Sequence, residues 1–214
     1  MDELHKELTQ LYQTAEKAIG AIIFDARFRR LVSFAVYVVL PLALLALWFS
    51  PQAAFFARQT GELAQQILLL LLFMKPAAVI FNIRILRRAL IYRRQMGVAV
   101  VYLALFHFAL LVNPARLLDL SYYTVGNHVL YGAPALLILA LLGITSNDRA
   151  LKLLRRNWLR LHKLAYFALV LVMIHSALAN GELFKIALII PLYFILKTLE
   201  WRGTRITLPV VSAA

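Results

Sequence analysis

Long apolar runs separated by short clusters of Arg and Lys set the pattern of this chain. Leu31–Phe49 holds no charged residue in 19 positions, close to the roughly 20 apolar residues a helix needs to cross a bilayer. Pro41 is expected to kink it. Pro51–Glu62 reads as a short polar loop, and Leu63–Ile83 as a second span carrying Lys75 beside Pro76. Arg84, Arg87, Arg88, Arg93 and Arg94 follow. A third span runs from about Gln95 to Val112, contains His107, and ends at the breaker pair Asn113-Pro114. Ser121–Asn147 is uncharged and accommodates a fourth span over His128–Ile144. A basic loop (Arg149, Lys152, Arg155, Arg156, Arg160, Lys163) leads into a fifth, Leu164–Ala179, closed by the turn pair Asn180-Gly181. The sixth, Leu183–Leu199, has eleven residues between Lys185 and Lys197. Those lysines can snorkel to the two interfaces.

The ends differ from this pattern. In residues 1–30, Leu4, Leu8, Leu11, Ala15, Ala18 and Ile22 recur at helical spacing among charges. This predicts an amphipathic interfacial helix lying on lipid, with docking to a partner as the alternative. The segment is charged and mixed throughout, so no cleaved signal peptide is expected. Residues 200–214 read as an exposed cytoplasmic tail. The expected fold is all-α: a polytopic membrane bundle of six transmembrane helices over residues 31–199, with no internal repeat.

Composition agrees with the pattern. The chain is 63% hydrophobic, where soluble domains are about 45–50% apolar. A net charge of +13 raises the question of nucleic acid. The basic residues punctuate apolar segments and form no single patch, so that class is set aside. Their distribution gives an orientation instead. The N-terminal segment, the 84–94 and 147–163 loops and the segment from Lys197 onward hold 19 Lys and Arg, whereas the opposite side holds Arg58 and Arg116. Both termini are therefore expected in the cytoplasm. Cysteine is absent, which excludes disulfides, thiolate catalysis, iron–sulfur clusters and covalently attached heme.

The candidate chemistry lies in histidines. With that topology, His107 on the third span and His175 on the fifth both lie towards the outer face, about five or six residues from their exits. Two imidazoles at one depth on two helices can ligate one heme from opposite sides. The alternative for each is an interhelical hydrogen bond. His162 lies 13 residues before His175, roughly 20 Å along the helix and roughly 140° around it. It belongs to the inner membrane edge, and the two need not face one cavity. His128 reads as an outer-edge histidine and His5 falls in the N-terminal segment. Lys75 needs a partner: it can snorkel, or pair with a propionate or quinone headgroup. Arg93-Arg94 and Arg155-Arg156 read as topology anchors that could also attract anionic groups. No G-x-G loop, H-E-x-x-H or G-x-S-x-G is present, so electrons must come from another protein or from a quinol.

Several elements in order resemble the ferric reductase-like transmembrane family over about residues 58–180. They are Thr60-Gly61 with Pro76 sixteen residues after Thr60, and Arg93-Arg94-x-x-Gly97 with His107 ten residues after that glycine. Thr145-Ser146 closes the fourth span, and Trp158-x-x-Leu161-His162-x-x-x-Tyr166 has His175 thirteen residues after His162. Within the family the chain is most similar to the heme-binding membrane subunits of bacterial protein-methionine-sulfoxide reductase systems. The resemblance implies a six-span bundle in the bacterial inner membrane, with b-type heme and His107 and His175 as the outer iron ligands. Family oxidases carry a second, inner heme with one ligand matching His162. The place of its partner falls near Arg93, where no histidine stands. Ala77-Ala78 follows Pro76 where the methionine-sulfoxide subunits usually have an arginine.

The function expected is an electron-transfer subunit of an oxidoreductase, not a complete enzyme. The resemblance implies a cytoplasmic flavin reductase or quinol pool as donor and an extracytoplasmic molybdopterin methionine-sulfoxide reductase as acceptor. One heme b is expected; a second at His162, and FMN or quinone, stay open. The alternatives are a ferric or dioxygen reductase membrane domain or, in another class, a heme-free transporter or assembly subunit.

Overall fold

The structure, a computed structural model, describes residues 2–111, 119, 123–181 and 183–206. The expected break at Asn113-Pro114, the outer-side Arg116 and tail residues 207–214 lie outside the described residues. Among the described residues every regular element is a helix. Helix α1 (Asp2–Ile23) meets α2 (Ala26–Trp48) at Asp25. The Asp25 carboxylate accepts the Arg27 backbone N–H at 2.9 Å and caps α2. Tyr92 hydrogen-bonds the Ile23 carbonyl and its ring meets Phe28 edge-on, tying this corner to the 84–94 segment. Pro41 lacks an N–H, and α2 absorbs the mismatch with a wide π turn at Ala35–Val39, where the Leu40 N–H reaches the Ala35 carbonyl.

Helix α3 (Ala53–Ile80) corrects one expectation. Residues 53–62 are helical, not loop, and add nearly three turns to the second span. The stretch Ala53-Ala-Phe-Phe-Ala-Arg-Gln is made largely of helix formers; its polar side chains suggested a loop, whereas they mark the exposed first turns of the helix. Pro76 stays inside α3 and is buried. Helix α4 (Arg84–Leu111) begins with a short basic turn and runs back along α3.

Helix α5 (Val129–Ile144) ends where the Thr145 and Ser146 hydroxyls bond the Leu141 and Leu142 carbonyls at 2.8 and 2.6 Å. The chain then bends by 95° into α6 (Asp148–Leu154), capped by the Asn147 side chain on the Ala150 N–H at 2.8 Å. Asp148 reaches Arg94 at 2.7 Å and clips α6 to the start of α4. The Arg94 guanidinium, by hydrogen bond and charge, holds the exposed Asp148 carboxyl below its usual pKa. Helix α7 (Arg156–Asn180) ends at Gly181, whose φ of 72° turns the chain back.

Helix α8 (Leu183–Trp201) returns beside α7 and α3, with Tyr193 buried between Phe73 and Tyr166 at ring-centre distances of 5.2 and 5.9 Å. Its end agrees with the expected exposed tail at 201–203, 205 and 206, whereas Glu200 is drawn in. The Glu200 side chain is only 11% exposed, held by Lys75 at 3.1 Å and Lys197 at 2.6 Å. A carboxylate at the membrane edge is stabilised by two ammonium groups and leaves water accordingly. The Ile206 N–H then bonds the Ile80 carbonyl at 2.7 Å.

Among the described residues four helices, α2, α3, α4 and α7, are long and apolar enough to cross a membrane, and α5 with α6 makes a fifth if the pair is one bent span. The result is an all-helical, multi-pass membrane architecture. In lipid, apolar burial gives little drive between helices, so close backbone approach and packing matter most. Leu68 and Leu72 of α3, Val100 and Leu103 of α4, and Leu169 and Met173 of α7 form the shared core.

Candidate functional site

Two hairpins, α3/α4 and α5/α7, face each other across the bundle. Each presents one imidazole held in the same way. His107 Nδ1 lies 2.9 Å from the Ala57 carbonyl, and His175 Nδ1 lies 2.8 Å from the His128 carbonyl. A carbonyl only accepts, so each Nδ1 carries the proton and each Nε2 keeps a free lone pair. The ring centres stand 6.1 Å apart with planes 88° to one another. The depth match expected from sequence therefore brings His107 and His175 together.

Both seats are made by glycine. A Cβ placed on Gly61 would fall within 2.9 Å of three ring atoms of His107, and one placed on Gly132 within 3.2 Å of the same three atoms of His175. Between the hairpins lies a cavity of about 500 Å³, within the range of about 300–1,000 Å³ usual for cofactor pockets. Small residues such as Ala64, Ala104 and Ala133 widen it, and Leu68, Leu139 and Val172 floor it. Its polar lining includes Arg58, Glu62 and Asn180.

The donor set can be tested against a metal. Among the described residues no group of three or more His, Cys, Asp or Glu could hold an ion. Three imidazoles line the cavity, those of His107, His128 and His175, but no such group forms, and the His107–His175 pair suits iron whose other four ligands come from a macrocycle. An imidazole nitrogen sits about 2.0–2.1 Å from a first-row metal, and its ring centre roughly 1.1 Å behind it, so two such rings on one iron stand roughly 6–6.5 Å apart. The observed 6.1 Å fits.

His162 is held elsewhere. Its ring stacks on Trp158 at 3.9 Å, and its Nε2 lies 3.3 Å from the Thr145 hydroxyl. That hydroxyl donates to the Leu141 carbonyl, so it accepts from His162. Trp158 Nε1 donates to the Thr145 carbonyl at 2.9 Å, and the cluster locks the start of α7 to the end of α5. Lys75 is likewise engaged, with Glu200.

Sequence reasoning missed His128, Gly61 and Gly132 as parts of one device. His128 supplies the carbonyl for His175, and its own ring lines the cavity 5.3 Å from the His175 ring. Gly61 fell in what read as a polar loop, so the available signal was Gly132, inside an apolar run. Glycine costs stability there and makes no turn, which points to a close approach.

Comparison with known proteins follows the same outline. The model of the family described as ferric reductase like transmembrane component matches residues 60–173, a range that includes His107 and His162 and stops two residues short of His175. A protein-methionine-sulfoxide reductase heme-binding subunit MsrQ of Agrobacterium fabrum is 29% identical over 161 residues, covering 73% of this chain and 71% of that protein. The magnetosome protein MamZ of Magnetospirillum gryphiswaldense is 31% identical over 160 residues, 70% of this chain and 24% of its own length. An MsrQ heme-binding subunit of Brucella ovis is 32% identical over 124 residues, 56% of this chain and 54% of its own. No solved structure matches.

Proposed function

The chain belongs to the ferric reductase like transmembrane component family, and on that premise we propose that it is a b-type heme electron-transfer subunit of a membrane oxidoreductase. The observation that carries this reading is the His107–His175 pair, with Nδ1 of each ring committed to a carbonyl and ring centres 6.1 Å apart across a cavity. His107 and His175 would hold the heme iron through their Nε2 atoms. When bound, heme supplies one-electron chemistry at iron that these side chains lack. The protein's own part is to fix both tautomers, shape the slot with small residues, and keep the ligands in a low-dielectric bundle.

The arrangement in the membrane is six spans (α2, α3, α4, α5, α7 and α8) with both termini in the cytoplasm. The 19-to-2 bias of basic residues supports it. Helix α5 is roughly 24 Å long and α8 roughly 28 Å, and terminal lysines extend the reach of α8. Residues 1–30 form an interfacial segment, 31–199 the heme-binding unit, and 200–214 a cytoplasmic end. The ligand pair then lies towards the outer face, and His162 with Trp158 at the inner edge.

Electrons enter from a cytoplasmic flavin reductase or a membrane quinol and leave to an outer acceptor. The heme-binding subunits of methionine-sulfoxide reductase among the Agrobacterium and Brucella relatives favour such a reductase as that acceptor. The basic 84–94 and 149–163 segments offer an inner docking surface for an acidic donor or an anionic flavin. The deciding experiment is purification from heme-replete cells. A red protein with a reducible b-type spectrum fits the proposal, and a colourless, intact protein refutes it in favour of a heme-free transporter or assembly subunit.

A further inference from the structure

The two histidine seats share a construction whose consequence goes beyond which residues bind iron. In a helix, the carbonyl of residue i points at the N–H of residue i+4 and keeps a second lone pair. A side chain from a neighbouring helix reaches that lone pair only by lying against residue i+4. Ala57 and Gly61 stand in this relation on α3, as do His128, the residue just before α5, and Gly132 in its first turn. The Gly132 N–H indeed bonds the His128 carbonyl at 3.0 Å, and His175 Nδ1 shares that oxygen at 2.8 Å. A Cβ at either glycine would occupy the place of the imidazole. Gly97, on the same helix as His107, has nothing within 4 Å of such a Cβ and makes no seat.

From this geometry we infer that Gly61 and Gly132 are positioning residues that lock the His107 and His175 imidazole planes at right angles. The inference rests on the proposed heme ligation. Each glycine admits one ring in one orientation, edge-on to the carbonyl four residues earlier, and the two seats leave the rings 88° apart. Ring orientation matters to a low-spin ferric ion. Parallel imidazoles act on the same iron d orbital and split the upper pair, which gives a rhombic, three-feature electron paramagnetic resonance spectrum. Crossed imidazoles act equally on both members of the pair and leave them nearly degenerate, which gives one dominant feature at large g. The Nδ1–H···O=C bond also makes each ring a stronger donor, which holds the reduction potential down.

The test is low-temperature spectroscopy and a redox titration of the full-length, heme-loaded protein in detergent, as wild type, Gly61→Ala, Gly132→Ala and Gly97→Ala. Wild type should show the single large-g feature. Gly61→Ala and Gly132→Ala should each turn one ring, move the signal towards the rhombic form, raise the midpoint potential, and weaken heme retention about 10–100-fold, as loss of an outer-shell partner does. Gly97→Ala should match wild type. If either seat variant fails to accumulate, the wild-type spectrum decides alone. A rhombic wild-type spectrum with heme bound overturns this inference and leaves the proposed function standing. Unchanged signal and potential in both seat variants overturn it as well. A wild-type protein free of heme refutes the proposed function and this inference together.

Discussion

Replacing His175 with alanine should separate heme binding from folding, and the structure says by how much. The substitution removes one imidazole and its bond to the His128 carbonyl. That oxygen keeps the Gly132 N–H at 3.0 Å, so no buried acceptor is orphaned. The stability cost is then that of one hydrogen bond, about 0.5–1.5 kcal/mol. His107→Ala behaves alike, because the Ala57 carbonyl still accepts the Thr60 hydroxyl at 2.8 Å. Binding suffers far more. Losing a partner one shell further out typically costs 10–100-fold in metal affinity. Losing the ligand itself should cost at least about 100-fold, which is about 2.7 kcal/mol. The two losses should not add, since the first already breaks the six-coordinate site. Each variant should therefore accumulate in the membrane and melt near the temperature of heme-free wild type, with heme content and the low-spin spectrum both lost. Exogenous imidazole should enter the vacated seat and partly restore the spectrum. The assay is a reduced-minus-oxidised difference spectrum and a pyridine hemochrome assay on purified protein, beside a thermal melt. Full heme content and an unaltered spectrum in either variant would refute the pairing.

Three further expectations follow from other parts of the molecule. Cysteines placed at Gly126 or Asn180 should react with an impermeant maleimide from outside intact cells, and one at Arg88 should not; outside labelling of Arg88→Cys overturns the topology. His162→Ala should slow reduction of the heme by a donor on the inner face in oriented proteoliposomes while sparing heme content. Equal rates would leave His162 as an anchor with Trp158 and Thr145. Asp148 has its carboxyl held below the ordinary value of 3.8 by Arg94. The clip between α6 and α4 is thus complete above that value and lost as pH falls through the lowered one. Amide exchange in α6 should rise only under that acid condition, and Asp148→Asn should show the fast exchange already at neutral pH.

Much of this molecule could be read from residues alone because lipid imposes a simple code. Uncharged runs located α2, α4 and α7, and the exits of the third and fifth spans put His107 and His175 at one depth. The code failed where polarity had another cause. Arg58, Gln59 and Glu62 looked like loop residues, yet they sit on the first turns of α3, which extend beyond its apolar run. Glu200 looked like the start of a solvated tail because its partners, Lys75 and Lys197, come from 125 and 3 positions away. The 95° bend after α5 depends on Thr145 and Ser146 hydroxyls turning back on carbonyls, a choice their spacing does not dictate. The seats were hidden for a deeper reason: their acceptors, on Ala57 and His128, are backbone carbonyls, and every residue has one.

Placing one imidazole on each hairpin also has a consequence in time. His107 and His175 are 68 positions apart in the chain, so at a synthesis rate of about 5–20 residues per second the second emerges roughly 3–14 s after the first. During that interval the α3/α4 segment can form as a hairpin with one of the two imidazoles. An imidazole with both nitrogens unmatched in hydrocarbon would be costly. The Ala57 carbonyl, within the same hairpin, satisfies one nitrogen before the other half exists. The nascent chain thus shelters its first ligand from within, and needs neither the second hairpin nor the cofactor to do so.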